Sequence, residues 1–493
     1  MSIPNIMVEC GLEVLKNYIN GEWVPSSGTK TLDVVNPATL ELLAKVPLST
    51  KEDVDAAVKA AKEAFWEWRC TPPLTRSRYL FEYRNLLDQN FERIAETIVK
   101  EHGKTLDEAR GDIKRGIETV ELACGVPSLM LGTIEEDAAK EIDEACVKEP
   151  LGVCVGLTPY NFPAMIPLWF LPMAIACGNT FILKPSSQVP ITAKILVELA
   201  EEAGFPPGVV NLLHGSRDVS NTLLESPDVK AVSFVGSSPV AKHIYTKSAQ
   251  NGKRAQCQGQ AKNFIIVMPD ANIEKTVSAL ITSVCGCAGQ RCLAGEVIVP
   301  VGDIYEPLRD AYVEAARKLR VGYGLDPETQ MGPLASKEQC EKVKWYIQKG
   351  VEEGAKLLLD GRQLKVEKYP NGFFVGPTVF DDVKPGMTIF KEEIFGPVAC
   401  ISRAETLDEA IKMANTSIYG NAASIFTSSG KAAREFAYRI EAGNVGINIG
   451  VPAPIAFFPF AGWKDSFYGD LHGQAKEGID FYTQDKVLIT RWF

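Results

Sequence analysis

The sequence predicts an α/β chain of more than one unit, organised around a doubly wound parallel sheet, and three observations carry that reading. At 493 residues the chain exceeds what a single hydrophobic core organises, so two or three units are expected. Between Val153 and Gly236 short apolar runs alternate with helical stretches, and a second alternation runs from Phe264 to about Val451. Strands and helices in such alternation form a parallel sheet whose ligand lies at the strand C-termini.

The elements follow in order. Asn17 to Val24 reads as a hairpin closed at Asn20-Gly21, a pair that tolerates positive backbone dihedrals. From Ser49 to Gly103 the pattern is helical, with Val54, Ala57, Val58 and Ala61 repeating at three and four and Leu80, Leu86, Leu87 and Ile94 continuing it. The uncharged stretch from Pro150 to Leu183 is long enough to raise a membrane span. Pro159, Pro163, Pro167 and Pro172, with Asn161 and Asn179, divide it instead into a buried strand, a turn, a helix and a second strand. Thr180 to Leu183 is that second strand, Ile191 to Gly204 a helix, Val209 to Leu213 a strand, Val219 to Glu225 a helix and Val229 to Val235 a strand. The later alternation includes the strand Phe264 to Val267, a helix from Tyr305 to Leu319 and the Glu353 to Leu359 region. Strand-forming residues from Val487 to Phe493, at a chain end, suggest an edge that pairs with another subunit.

Composition narrows the function classes. Hydrophobic residues at 46% and charged residues at 23% fit a soluble globular protein. The formal charge is −10 with no basic run, so no nucleic-acid partner is expected, and no membrane association either. The twelve cysteines are scattered without regular spacing, Cys285 and Cys287 are too close for an ordinary zinc half-site, and only four histidines exist to complete one. No metal is expected. Met1 to Asn17 contain no Arg and no apolar core with a cleavage site, which points to a cytoplasmic location.

Two segments carry chemistry. Ala288-Gly289-Gln290-Arg291-Cys292 sets a thiol after a Gly-rich turn and beside a guanidinium, and a neighbouring cation lowers a thiol's pKa toward the nucleophilic thiolate. From that segment alone a packed core cysteine is an equal reading. Thr158-Pro159-Tyr160-Asn161-Phe162-Pro163 holds an amide on a Pro-bracketed turn after a buried strand, where it could stabilise an oxyanion.

Together with Lys184-Pro185-Ser186-Ser187, Phe234-Val235-Gly236-Ser237 and Glu393-Ile394-Phe395-Gly396-Pro397, these segments resemble the aldehyde dehydrogenase superfamily, in that family's order from about residue 18 to the C-terminus. The resemblance implies a Rossmann-type cofactor domain (residues 1–132 and 152–258), an α/β catalytic domain (259–465) and a small bridging β-sheet (133–151 and 466–493), assembled as a homodimer or homotetramer. It implies Cys292 as nucleophile, with Asn161 and the Cys292 N–H holding the oxyanion. NAD would be bound by Thr158, Tyr160, Lys184, Ser187, Gly236, Ser237, Glu393 and Phe395. The chain lacks G-x-G-x-x-G; in the family a Ser at a helix start meets the pyrophosphate, and Gly236-Ser237 before Pro239 fits. Many NAD-preferring relatives carry Glu where this chain has Ser187, so NADP is also open.

Relatives that hydrolyse their acyl-enzyme use a Glu about 34 residues before the cysteine; here that position is Gln258, and an amide cannot take the proton. Coenzyme A, which brings its own thiol, is then the expected acyl acceptor. Gly450 to Pro454, Phe457 to Phe460, Gly462 to Lys464 and Phe467 to His472 resemble the methylmalonate-semialdehyde dehydrogenase branch. That branch implies a small acidic aldehyde whose carboxylate meets Arg115 and Arg291, since a guanidinium grips a carboxylate through paired hydrogen bonds. The alternative for Arg115 read alone, the less favoured one, is a helix-surface ion pair. The run Gln260-Ala261-Lys262-Asn263-Phe264 departs from the family's Gly-Ala-Lys-Asn-His at both ends.

Overall fold

The computed structural model describes residues 14–493. Most of the Met1 to Asn17 segment, on which the expected location rests, lies outside the described residues. An eight-stranded sheet runs, in spatial order, through Glu22–Val24, Asn17–Ile19, Val210–Leu212, Thr180–Lys184, Val153–Leu157, Val229–Val235, Arg254–Gln258 and Phe467–Tyr468. The five strands from Val210–Leu212 to Arg254–Gln258 are parallel to one another. Numbered along the chain they lie in the order 3-2-1-4-5, so the winding reverses between Val153–Leu157 and Val229–Val235. A ligand crevice belongs beyond the C-termini of those two strands. Thr158 to Asn161 follow the first, and Gly236 and Ser237 follow the second.

All five residues of Val153–Leu157 are buried, because the sheet is covered on both faces. Val153, Val155 and Leu157 pack with Val54, Ala57 and Ala61 of the helix Lys51–Cys70 on one side. Cys154 faces the other side, toward Phe170 and Met173 of the helix Met165–Ala176. That second helix is apolar all round, as a helix sunk between a sheet and other helices must be. At the hairpin, Asn20 and Gly21 have φ of 54° and 82°, the pair of left-handed residues a two-residue turn requires.

A seven-stranded sheet forms the second unit: Lys356–Leu359, Thr378–Asp381, Val398–Ile401, Val297–Pro300, Phe264–Val267, Ala422–Phe426 and Asn444–Ile447. Only Lys356–Leu359, at its edge, runs antiparallel. Phe264, one of the two departures from the family run, is a core residue here, packed edge-on against Phe390.

Thr133–Ala139, Ile142–Pro150 and Thr483–Arg491 make a third, antiparallel sheet. The bridging segment expected from residue 466 is shorter than that. Phe467 and Tyr468 pair with Gln258 and Cys257 and close the edge of the first sheet, and Tyr482, at the end of the helix Ala475–Tyr482, meets Ser233 of that sheet through its hydroxyl. Only the final strand joins the third sheet. An open parallel-sheet edge leaves backbone groups unpaired, which is why the chain returns to cover it. Among the described residues no helix is long and apolar enough to cross a membrane, no cluster of His, Cys, Asp and Glu could hold a metal ion, and the cysteines are free.

Candidate active site

Cys292 sits on a loop whose backbone is fastened from three sides. The loop leaves the helix Ile273–Cys285 through the tight turn Gly286–Gly289, in which Cys287 and Ala288 adopt φ of 50° and 52°. Such left-handed residues persist only where neighbours hold them. Glu108, three residues into the helix Leu106–Cys124, accepts the Cys287 N–H at 2.6 Å. Gly289 presses on the next loop, where a side chain would put its Cβ 2.1 Å from the Gly396 carbonyl oxygen. The Cys292 carbonyl accepts the side-chain amides of Asn263 (2.8 Å) and Asn421 (2.7 Å).

The thiol lies between two cavities and lines both. One, of about 370 Å³, is walled by Arg115, Arg291, Phe162, Met165, Trp169 and Phe460. The other, of about 180 Å³, is walled by Tyr160, Asn161, Gly236, Ser237, Glu393 and Phe395, and it opens at the strand-order reversal. Small-molecule chemistry at Cys292 can therefore be approached from an apolar chamber carrying two cations and from a crevice lined by polar groups and aromatic rings.

The electrostatics correct the expectation for Arg291. Its Nε donates to Cys287 Sγ at 3.3 Å, Nη1 to the Thr282 carbonyl at 3.2 Å, and Nη2 lies 3.5 Å from Glu108 Oε1. Its charge is directed at those groups, and burial dominates at Cys292, where the thiol is pushed up to about 12, with Glu393 adding to the rise. Asn421 and Arg291 oppose that shift without reversing it. Arg115 pairs with Glu118 at 2.8 Å one helical turn on, while also lining the larger chamber.

Two buried ion pairs, which sequence reading missed, fix opposite walls of the crevice. Lys104 Nζ meets Asp112 Oδ2 at 2.9 Å, donates to the Asn161 carbonyl at 2.7 Å and sits 4.0 Å over the Phe162 ring. Asp112 Oδ1 accepts the Met165 N–H, so the whole Asn161 turn is gripped from below. The Asn161 side chain donates to the Gln290 carbonyl at 3.1 Å, which aims it at the cysteine loop. On the other wall Lys262 pairs with Glu296, and the Glu296 carboxylate accepts the N–H groups of Ile394 and Phe395. Phe395 holds φ of 57° and meets the Tyr160 ring at 6.1 Å edge-on. A lysine after a helix-ending glycine, as Lys104 follows Gly103, reads in sequence like any solvated lysine. Glu296 carries the better signal, a lone carboxylate directly before the buried strand Val297–Pro300.

The remaining predicted residues, apart from Glu393 in the second unit, lie at the C-terminal edge of the first sheet. The Thr158 N–H donates to the Lys184 carbonyl, and Ser187 Oγ donates to the Gly215 carbonyl. Lys184 is brought down to about 8 by burial, and its Nζ donates to the Pro185 carbonyl at 3.1 Å. Among the described residues no carboxylate pairs with it. Glu393 accepts the Ala261 N–H (2.9 Å) and Gln260 Nε2 (3.1 Å) and is shifted up to about 7 by burial and by Glu296. Ser237 opens the helix Ser238–Gln250 without engaging its side chain in a capping bond. A desolvated ammonium lacking an anion and a free hydroxyl at a helix start suit a dinucleotide. Gln258 borders neither cavity; its Nε2 donates to the Phe460 carbonyl, and its Oε1 is buried without a partner.

A model of the aldehyde dehydrogenase family matches residues 23–488. A malonate-semialdehyde dehydrogenase of Geobacillus kaustophilus is 53% identical over 97% of this chain and 98% of its own length. A Sinorhizobium meliloti protein crystallised with NAD superposes with a TM-score of 0.97 at 43% identity, covering 98% of this chain and 99% of that one. A methylmalonate-semialdehyde dehydrogenase of Oceanimonas doudoroffii gives 0.96 at 43% identity over the same shares. With the thiol, the asparagine turn and the crevice in one cleft, and with agreement along nearly the entire sequence, the chain belongs to the aldehyde dehydrogenase family.

Proposed function

We propose that the chain oxidises malonate semialdehyde or methylmalonate semialdehyde, with loss of carbon dioxide, to acetyl-coenzyme A or propionyl-coenzyme A while reducing NAD. One observation carries this reading: a single thiol, Cys292, opens on one side to a chamber with two arginines and on the other to a crevice suited to a dinucleotide. The names of the Geobacillus and Oceanimonas relatives and the NAD in the Sinorhizobium structure agree with it.

In this reading Arg115 and Arg291 take the substrate carboxylate, Arg291 sharing a guanidinium that also holds Cys287, Thr282 and Glu108, and so set the aldehyde carbon before Cys292. The thiolate adds to the carbonyl, and the Asn161 amide with the Cys292 N–H stabilises the oxyanion. When bound, the oxidised dinucleotide brings a cationic ring that favours the thiolate and accepts the hydride. Glu393 would hold the nicotinamide ribose and Phe395 would pack near the ring, both lining the crevice. The acyl group is left as a thioester on Cys292, and its β-carboxylate departs as carbon dioxide, the electrons passing into the thioester enolate. Protonation of that carbon balances the proton that the coenzyme A thiol gives up when it takes the acyl group. Gln258 can serve only to position groups, since its amide accepts no proton, so water is a poor competitor.

Residues 1–132 and 152–258 would carry the cofactor, 259–465 the sulfur, and 133–151 with the last strand would join subunits of a cytoplasmic homodimer or homotetramer. The outer strand Thr483–Arg491 leaves Val487 and Ile489 more than half exposed, as a pairing surface would. Ser187 puts no carboxylate against a 2′-phosphate, so NADP belongs in the assay. The test is a screen of malonate, methylmalonate and succinate semialdehydes with each cofactor, with and without coenzyme A, the products identified by mass spectrometry. Acyl-coenzyme A formed only from the first two supports the reading. Free acid formed equally well without coenzyme A overturns it in favour of a hydrolytic dehydrogenase.

A further inference from the structure

Gln260 ties together two places in the crevice that a dinucleotide would use. Its Oε1 accepts the Ser238 N–H at 3.3 Å, at the first turn of the helix Ser238–Gln250. Its Nε2 donates to Glu393 Oε2 at 3.1 Å on the far wall. Its backbone is pinned, the N–H on Ser238 Oγ at 2.8 Å and the carbonyl on Ser466 Oγ at 2.6 Å, so the side chain has little freedom to leave by a backbone shift. It lines the smaller cavity together with Ser237, Glu393 and Cys292.

The helix start has few uncommitted donors. Pro239 has no N–H, and the Ala241 N–H already donates to the Ser237 carbonyl. The donors the first turn can present to an anion are those of Ser238 and Val240, and the carboxamide of Gln260 takes the first. At its other end the same carboxamide takes one oxygen of Glu393, whose second oxygen holds the Ala261 N–H. A carboxamide carries an acceptor oxygen and a donor nitrogen on separate atoms, so this one uncharged side chain accepts from a helix N–H and donates to a carboxylate at once.

We propose that Gln260 is an internal competitor for the cofactor, a latch across the crevice that must release Ser238 and Glu393 before the dinucleotide is fully seated, and that it thereby sets cofactor affinity. Loss of the carboxamide frees both groups in advance. Gln260→Ala should therefore bind NAD and NADH more tightly, by about threefold to tenfold, the net worth of one or two ordinary hydrogen bonds. Gln260→Glu should do the opposite. A carboxylate there would hold the positive end of the helix more firmly and repel both Glu393 and the pyrophosphate.

The test is the dissociation constant of NAD and NADH for the intact protein without aldehyde, read by tryptophan-to-NADH energy transfer and by isothermal titration, with thermal unfolding as the folding control. Tighter binding by the Ala variant with weaker binding by the Glu variant supports the latch. Weaker or unchanged binding by the Ala variant overturns it, since a strut that organises Glu393 would lose affinity in both variants. The inference rests on assigning the crevice to a dinucleotide, which Lys184→Ala tests separately: this lysine touches neither end of the latch, and if its loss leaves the dissociation constant unmoved the crevice assignment fails, whatever Gln260 does.

Discussion

Replacing Glu393 by Gln asks how the reactive sulfur is kept in the free protein. Burial pushes the Cys292 thiol up to about 12, and the Glu393 carboxylate adds to the rise. At pH 8 such a thiol is ionised to about one part in ten thousand, against about a tenth for an ordinary cysteine of pKa about 9. Iodoacetamide consumes thiolate, so Cys292 should be alkylated about a thousandfold more slowly than an exposed cysteine, with the rate climbing about tenfold per pH unit and no plateau below about pH 10. Glu393 is itself shifted up to about 7, which fixes the sign of the mutation. Above that pH it is ionised and disfavours the thiolate; below it the carboxyl is already neutral. The Glu393→Gln variant should accelerate alkylation above about pH 7, about tenfold for each unit by which the thiol falls, and change nothing below about pH 6. Peptide mass spectrometry of the Cys292 peptide across this range measures both. A wild-type plateau below about pH 9, or a variant that is faster at every pH, would refute the account of burial and charge given for this sulfur.

Three further outcomes are expected. If the carboxylate of Gln258→Glu can turn from the Phe460 carbonyl toward Cys292, it restores a proton acceptor and should raise acyl-enzyme hydrolysis without coenzyme A by about 100-fold; a variant still wholly dependent on coenzyme A would mean that residue 258, which borders neither cavity, does not reach the thioester. Arg115→Leu should cut kcat/KM for a semialdehyde by about 10- to 150-fold, a charge-assisted hydrogen bond being worth roughly 1.5–3 kcal/mol, while propanal loses little. Equal losses would make Arg115 a scaffold partner of Glu118. Lys104→Met strands the Asp112 carboxylate in the core at a cost of about 3–5 kcal/mol, and adding Asp112→Leu should recover most of it in urea unfolding; a single variant as stable as wild type would remove Lys104 from the list of residues that hold the Asn161 turn.

What the sequence made legible follows from how local each signal is. The strands of the first sheet announce themselves because Val153–Leu157 and Phe181–Leu183 are continuous apolar runs, and the hairpin because Asn20-Gly21 favours one kind of turn. Cys292, Asn161 and the Glu393 to Phe395 segment stood out because each combines a chemical group with an unusual backbone context. The partners of those groups did not. Lys104 with Asp112, and Lys262 with Glu296, are pairs eight and 34 residues apart that become meaningful only when two elements fold against each other. Arg291 shows the opposite failure. Adjacency in sequence to Cys292 suggested that it activates the thiol, yet successive residues on a loop diverge, and the guanidinium reaches Cys287 and Glu108 instead. The return of Phe467–Tyr468 to the first sheet was likewise illegible, since two residues of strand carry no period.

The contact of Gly289 with Gly396 bears on what this chain can become. It leaves no room for even a methyl between the loop that presents the sulfur and the loop that presents Phe395, and Gly289 also needs its φ of 74°. Drift toward a new substrate cannot begin there: a substitution would wedge two segments of backbone apart before it altered any selectivity. The opposite side of the larger chamber is free of that restriction. Val451, Ala453 and Pro454 lie outside helices and strands, and Arg115 sits on a helix with its side chain partly exposed, so changes at these positions alter shape and charge without moving the sulfur. Descendants with other aldehyde preferences would be recognisable by turnover at 115 and between 451 and 460, above an unchanged pair of glycines.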